Sequence, residues 1–530
     1  MVALYFVIVV SIGLYKGRNE KSMDGFALGD RQIPWWAVLA SILAAEVSAA
    51  TFLGAPGEGY ALKNFTYAQL AIGTILARVL VSYVFIKPYY DYRVVSIYEF
   101  LTVRFGVATK NGASAVFLIT RALASGTRLY VAAVVLVLAF EMVTGTKPAP
   151  AQELLIYVIA LTALTAITAV YTTLGGIKAV VWTDVIQASI MFGGLGFAIW
   201  SLLHQIPGGW GGVHRLLTAP KDFTFWDTGI VHGESAWKNV KGILESEYTL
   251  WTAFLASTFV TMATHGTDQD MVQRMLTAKD HVRSRLALVL SGLADLPIVF
   301  GFLLIGILLW AFYQTHADPN LPAKNAYVFA YYILHELPSG IKGLLVAGIF
   351  ATAMGSLSTA LNALATSFTK DWYVPYMNPG ADERSLIRST RWSTVVFSIV
   401  LIIIGSLTAW AVIILKSRII PIVLGIFGYT YGSLLGVFLV GMLTRRRGSE
   451  RGNIIAMIAG FIVVAILSGL PNQVLTLAGL PNYPQPEWLP VIEFPWRIMF
   501  GTIVTFLVAV SFKTPESQVK IAAAHIISRR

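Results

Sequence analysis

Ser41-Ile-Leu-Ala-Ala-Glu-Val-Ser-Ala-Ala-Thr-Phe-Leu-Gly-Ala-Pro-Gly-Glu-Gly-Tyr60 is the stretch on which the reading turns. It lies within a run from Pro34 to Ala61 that is otherwise apolar. Glu46, the hydroxyls of Ser48 and Thr51, Pro56 and three Gly interrupt a segment long enough to span a bilayer. A Pro-kinked packing helix is the plain reading. A helix broken in mid-membrane is the sharper one. An interrupted helix frees backbone carbonyls, which can coordinate Na⁺, and irregular backbone at that depth is tolerated only where it lines a cavity.

The rest of the chain supplies the membrane context. Of 530 residues, 56% are hydrophobic and only 13% charged, against about 25% charged in a soluble domain. Mean hydropathy is +0.68. No polar stretch is long enough for an additional soluble domain. The net charge of +11 would suggest nucleic acid in a soluble protein; here basic inner loops account for it and no nucleic-acid partner is expected. With no Cys, disulfides, thiol catalysis and Cys-ligated metal centres are excluded.

A spanning helix needs about 20 apolar residues. About thirteen stretches qualify, near 2–15, 34–61, 66–89, 113–144, 152–171, 177–205, 248–270, 283–314, 340–369, 389–415, 418–443, 452–470 and 494–512. They predict an all-α integral membrane protein in one transmembrane domain over 1–530. The first stretch is short and a poor signal peptide; a helix beginning upstream of this Met1 is expected. Lys16, Arg18, Lys21 and Arg31 place the first loop in the cytoplasm and the N-terminus outside. Alternation then gathers Lys87, Arg93, Arg104 and Lys110, then Arg274 to Arg285, Arg384 to Arg391 and Arg445 to Arg451 inside, with Arg529 and Arg530 in a cytoplasmic tail. Lys416 and Arg418 break the pattern. Residues 206–247 read as an outer lid, and 326–334 as an amphipathic stretch in a loop.

Charges within spans are costly and are functional candidates. Arg78 and Arg121 snorkel or pair with an acid. Asp268, Asp270 and Arg274 read as a structural or gating network. Asp295, before Pro297, either lines water or pairs with an Arg. Arg128 follows small residues in Ala124-Ser-Gly-Thr-Arg. It either grips a solute carboxylate bidentately or pairs with Glu46 or Asp295. In Thr352-Ala-Met-Gly-Ser-Leu-Ser-Thr-Ala-Leu-Asn362, Thr352, Ser356 and Thr359 share one helical face. That face suits a hard cation or close helix packing. Asp184 in Trp182-Thr-Asp-Val-Ile-Gln187 is a further oxygen ligand candidate.

Together, Pro34-Trp-Trp-Ala with the broken segment, Gly175-Gly with Val181 to Gln187, Asp268-Gln-Asp-Met-Val-Gln-Arg274 and Gly355-Ser-Leu-Ser-Thr with Asn362 resemble the solute:sodium symporter family. This is the group of sodium–glucose, sodium–proline and sodium–sialic acid cotransporters. The resemblance runs over nearly the whole chain. It implies a leucine-transporter-like fold of two inverted five-helix repeats, about 34–205 and 248–443, with peripheral helices at 2–15, 452–470 and 494–512. It also implies a monomer in the cell (inner) membrane, with Na⁺ and a small solute as ligands.

By that resemblance, a main Na⁺ site would use the carbonyls of Ala44, Val47 and Thr352 and the hydroxyl of Ser356. Gly355 stands where relatives often carry a second hydroxyl. A second Na⁺ would take Asp184, Ser358 and Thr359. Solute would meet Glu46, Ser48, Thr51, Gln69, Arg128, Thr261 and Thr264, with Tyr67, Phe427 and Tyr429 as gates. Arg128 matches the Arg of the sialic-acid branch, which implies import of a sugar acid or another carboxylate. The alternative is a neutral sugar such as glucose or galactose, or a solute sensor. A sensor fits poorly with only about 18 residues after the last span, where no signalling domain fits. The eight His lack HExxH spacing, so no enzyme is expected.

Overall fold

The computed structural model describes residues 1–18, 20–415, 425–484, 486 and 488–528. Lys416, Arg418, Arg529 and Arg530 lie outside the described residues. Among these residues the chain is helical, with two isolated bridges and no strand. The apolar stretches become α1 (Val2–Gly17), the bent pair α2 (Trp35–Glu46) and α3 (Ala49–Leu62), α4 (Thr66–Asp91), α5 (Val107–Thr144) and α6 (Pro150–Gln205). After the lid come α7 (Ser257–Gly266), α8 (Gln269–Met275), α9 (His281–Thr315), α10 (Asn325–His335), α11 (Ser339–Phe368), α12 (Glu383–Ile413), α13 (Ile426–Leu443), α14 (Glu450–Leu467) and α15 (Phe494–Ser511). The amphipathic stretch is thus a helix, α10, and its Phe329 stacks on Phe52 of α3.

Among the described residues, nine helices are long and apolar enough to cross a membrane, ten with the bent pair. This differs from thirteen for physical reasons. At about 1.5 Å per residue, the 56 residues of α6 would reach about 84 Å, far beyond a hydrocarbon core of about 30 Å. Gly176 (φ 54, ψ −152) breaks it, separating the stretches read as 152–171 and 177–205. α1 and α7 have only 16 and 10 residues.

The break expected in 41–60 is present. The helix stops at Glu46, Val47 leaves helical geometry, and Ser48 restarts it by accepting the Thr51 N–H at 3.4 Å. The segments on either side diverge by 62°. Pro56 sits inside α3, not at the break. α3 crosses α9 at backbone contact, Gly59 against the Leu303 carbonyl and Gly306 against the Pro56 carbonyl. A side chain on either glycine would force the helices apart. The lid is ordered by two short helices, Gly209–Leu216 and Ala236–Leu244.

Candidate functional site

Two oxygen-lined regions meet at the α2–α3 break. The first lies between α2, α6 and α11. Ser356 Oγ donates to the Thr352 carbonyl at 3.2 Å, so two of the expected ion ligands are adjacent. Across from them is Gly355. A methyl group there would sit 2.9 Å from Gln187 Oε1, 3.2 Å from the Ala44 carbonyl and 3.7 Å from Asp184 Oδ1. Gln187 Oε1 and Asp184 Oδ1 are buried acceptors without a hydrogen-bond donor among the described residues. Buried acceptors are nearly always satisfied, so three oxygens converging on one glycine could hold a cation. Gln187 was quoted in its motif but given no role; its amide lies one turn beyond Asp184, on the same face.

The remaining members of the expected second site point elsewhere. Asp184 Oδ2 accepts from Ser41 Oγ at 2.5 Å and from Arg274 at 3.0 Å. Ser358 Oγ donates to the Gly355 carbonyl at 3.1 Å. Thr359 Oγ1 donates to the Ser356 carbonyl at 2.8 Å and approaches Asp270 at 3.3 Å. Asp184 and Arg274 belong to a wholly buried network with Asp268, Asp270 and Arg121. Arg121 contacts Asp268 at 3.1 Å and also pairs with Asp270, while Tyr431 donates to Asp268 at 2.6 Å. The network joins α2, α5, α6, α8 and α13. Arg121 is therefore a pairing residue, and 268–274 is the network read from sequence.

The second region is a hollow of about 360 Å³ beside the break. Glu46, Thr51, Tyr67, Arg128, Thr261, Thr264 and Phe427 line it. Ser48 opens instead onto a small adjoining space shared with Arg128 and Ser356. Gln69 and Tyr429 do not reach the hollow. Gln69 Nε2 donates to the Thr66 carbonyl at 3.1 Å, and its Oε1 accepts the Asp227 N–H at 3.1 Å, tying the lid down. Tyr429 OH contacts Arg497 at 3.1 Å. His265 and Asp295 also line the hollow; of the two alternatives for Asp295, lining the cavity is the one formed, since it pairs with no Arg among the described residues.

The charges in the hollow differ in how they are held. Glu46 pairs with the fully buried Arg78, which is also held by Ser291 at 2.9 Å, and His265 Nε2 lies 3.0 Å from the same carboxylate. The pairing of Arg128 with Glu46 or Asp295 is therefore not formed. Arg128 instead places its guanidinium 5.2 Å over the Phe427 ring and makes no ion pair among the described residues.

The family model for the sodium:solute symporter family matches residues 26–460. The chain is 28% identical over 491 residues to the sodium/glucose cotransporter of Vibrio parahaemolyticus, covering 88% of this chain and 84% of that one. It is 26% identical over 464 residues to a sodium/sialic acid symporter of Proteus mirabilis, covering 87% of each. It is 27% identical over 480 residues to the human sodium-coupled monocarboxylate transporter 1, covering 88% of this chain and 72% of that one. The fold matches that of a substrate-bound, outward-open Na⁺-coupled sialic acid symporter with a TM-score of 0.77 at 22% identity, over 96% of each chain. The leucine-transporter-like fold and the coupling ion Na⁺ thus stand, and the chain is a multi-pass membrane transporter, not an enzyme. With the family model matched over most of its length, the chain belongs to the sodium:solute symporter family.

Proposed function

We propose that this symporter imports a small organic carboxylate, a sialic-acid-like sugar acid being the leading case, by alternating access. One observation carries the reading: Arg128 faces the hollow with no carboxylate of its own, while Arg78 and Arg121 are both occupied by acids. A guanidinium in a partly dry cavity lacks its hydration, and a bidentate carboxylate restores both charge and hydrogen bonds. Two similar chains carry "sialic acid" and "monocarboxylate" in their names, which supports the same reading.

The coupling ion sits against Gly355. The carbonyls of Ala44, Val47 and Thr352 and Ser356 Oγ bind it, with Gln187 Oε1 or Asp184 Oδ1 in place of the missing hydroxyl. A second Na⁺ at Asp184, Ser358 and Thr359 requires their hydroxyls to turn from the helix carbonyls. The basic loops face the cytoplasm, the N-terminus is outside, and the monomer works in the cell's inner membrane. The two repeats, about 34–205 and 248–443, rock around the hollow. Each charge entering across 100 mV contributes about 2.3 kcal/mol.

The test is uptake into proteoliposomes under an imposed Na⁺ gradient. Carboxylate uptake should depend on Na⁺ and disappear in Arg128→Gln. Glucose uptake that survives Arg128→Gln would show a neutral-sugar carrier and sink the proposal.

A further inference from the structure

Among the described residues, Asp295 is the one acid lining the hollow without a partner. It lies on α9, two residues before Pro297, half-buried, with its carboxylate open to the cavity. Among the described residues it has no hydrogen bond and no ion pair. The charges that act on it most are Glu46 and Arg78, and those two are already joined to one another. Around the hollow and the adjoining network stand five carboxylates (Glu46, Asp184, Asp268, Asp270, Asp295) and four guanidiniums (Arg78, Arg121, Arg128, Arg274). The surplus acid lies in the paired set, where Asp184, Asp268 and Asp270 share Arg121 and Arg274; in the hollow one charge of each sign, Arg128 and Asp295, is free to meet a ligand.

An unpaired carboxylate in a partly dry cavity is costly to keep charged, so it either takes up a proton or meets a cation. The oxygens nearest Gly355 come from α2 and α6, so a cation held there would be answered by that other region. Water fills the role while the hollow is open, but occlusion removes water. A solute that arrives with its own ammonium supplies the charge and up to three N–H donors.

We infer that Asp295 is the specificity-determining residue of the hollow and that the solute is dipolar, with a carboxylate for Arg128 and a primary ammonium for Asp295. The inference rests on the carboxylate reading above and narrows it from organic acids to amino acids and amino-sugar acids. With a plain carboxylate, Asp295 has to take up a proton on occlusion, whereas an ammonium meets it as the carboxylate. A dipolar solute adds no net charge, so only Na⁺ carries current.

The experiment compares carboxylates that differ only in an amino group, hexanoate with 6-aminohexanoate and propionate with β-alanine. It measures Na⁺-dependent thermal stabilisation of the purified carrier and uptake in proteoliposomes. The wild type should favour the amino member of each pair by at least tenfold. Asp295→Asn should lose that preference while still binding the plain acid, and Asp295→Glu should restore part of it. A residue that merely supports the fold would lower both members alike. Equal binding of both members by the wild type, or a preference that survives Asp295→Asn, overturns the dipolar inference and leaves the carboxylate reading intact. Binding of neither member, with glucose bound instead, overturns both.

Discussion

Gly355→Ala should separate the stability of the fold from its affinity for sodium. Gly355 lies in the interior of α11, where Ala favours the helix by about 1 kcal/mol. The added methyl meets Gln187 Oε1 at 2.9 Å, the far end of a side chain that can yield by a few tenths of an ångström. The Na⁺-free protein should therefore melt no lower than wild type. The same methyl stands 3.2 Å from the Ala44 carbonyl and 3.7 Å from Asp184 Oδ1, inside the space the ion needs. A contact between a charge and a hydrogen-bonding group is worth about 1.5–3 kcal/mol, and about 1.4 kcal/mol is tenfold in affinity. Losing one contact weakens Na⁺ by at least about tenfold. At Na⁺ one hundred times its wild-type Kd, the ion stabilises wild type by about 2.7 kcal/mol, and a tenfold weaker variant by about 1.4. Thermal unfolding in NaCl against KCl at equal ionic strength reads the difference, a loss of about 1.3 kcal/mol in the Na⁺-specific increment. An increment equal to wild type would show that no ion binds against Gly355.

Arg78→Met strips the partner from Glu46 and should cost roughly 3–5 kcal/mol of stability; in the double variant with Glu46→Gln much of the lost melting temperature should return. Gly306→Val drives a side chain into the backbone of α3 at the Pro56 carbonyl, so the yield of monodisperse carrier on size exclusion should collapse, whereas Gly196→Val, facing open space, should not change it. Gln69→Leu removes the tie to Asp227; limited proteolysis should cut the lid around 218–235 faster, while the order of solute preference stays that of wild type.

The sequence made the break and the hydroxyl-bearing face of α11 legible because both depend on local chemistry. Polar and small residues in mid-span have few reasons to be there, and the period of 3.6 puts Thr352, Ser356 and Thr359 on one side. Pairing was harder. Arg78, Arg121 and Arg128 all lie within apolar spans, and the choice among Glu46, Asp268, Asp270 and Asp295 is made by helix packing that leaves no trace in spacing. Tyr429 is a different case, since periodicity alone could have placed it. Phe427 and Tyr431 are four residues apart, and both face inward, to the hollow and to Asp268. Tyr429, two residues from each, turns to the opposite side. Gln69 opens α4 in a 3₁₀ turn over Thr66–Gln69, and that tight turn directs its amide to the lid and away from the cavity.

The proposed ion place and the hollow share the broken α2–α3 segment, and this offers a physical route to coupling. Ala44 and Val47 present their carbonyls within one turn of Glu46, and Ser48 then starts α3, which carries Thr51 into the hollow. An ion that holds those carbonyls fixes the peptide planes that set where Glu46 and Thr51 point. Binding linkage is reciprocal, so whatever factor Na⁺ adds to solute affinity, solute adds to Na⁺ affinity. Gly355→Ala touches no residue of the hollow. At saturating Na⁺ it should therefore bind solute as wild type does, and at low Na⁺ it should bind solute more weakly, with the solute Kd rising as the ion site empties. A solute affinity lowered equally at all Na⁺ concentrations would mean that the methyl acts on the hollow directly. A solute affinity independent of Na⁺ in both proteins would mean that the break does not transmit between the two.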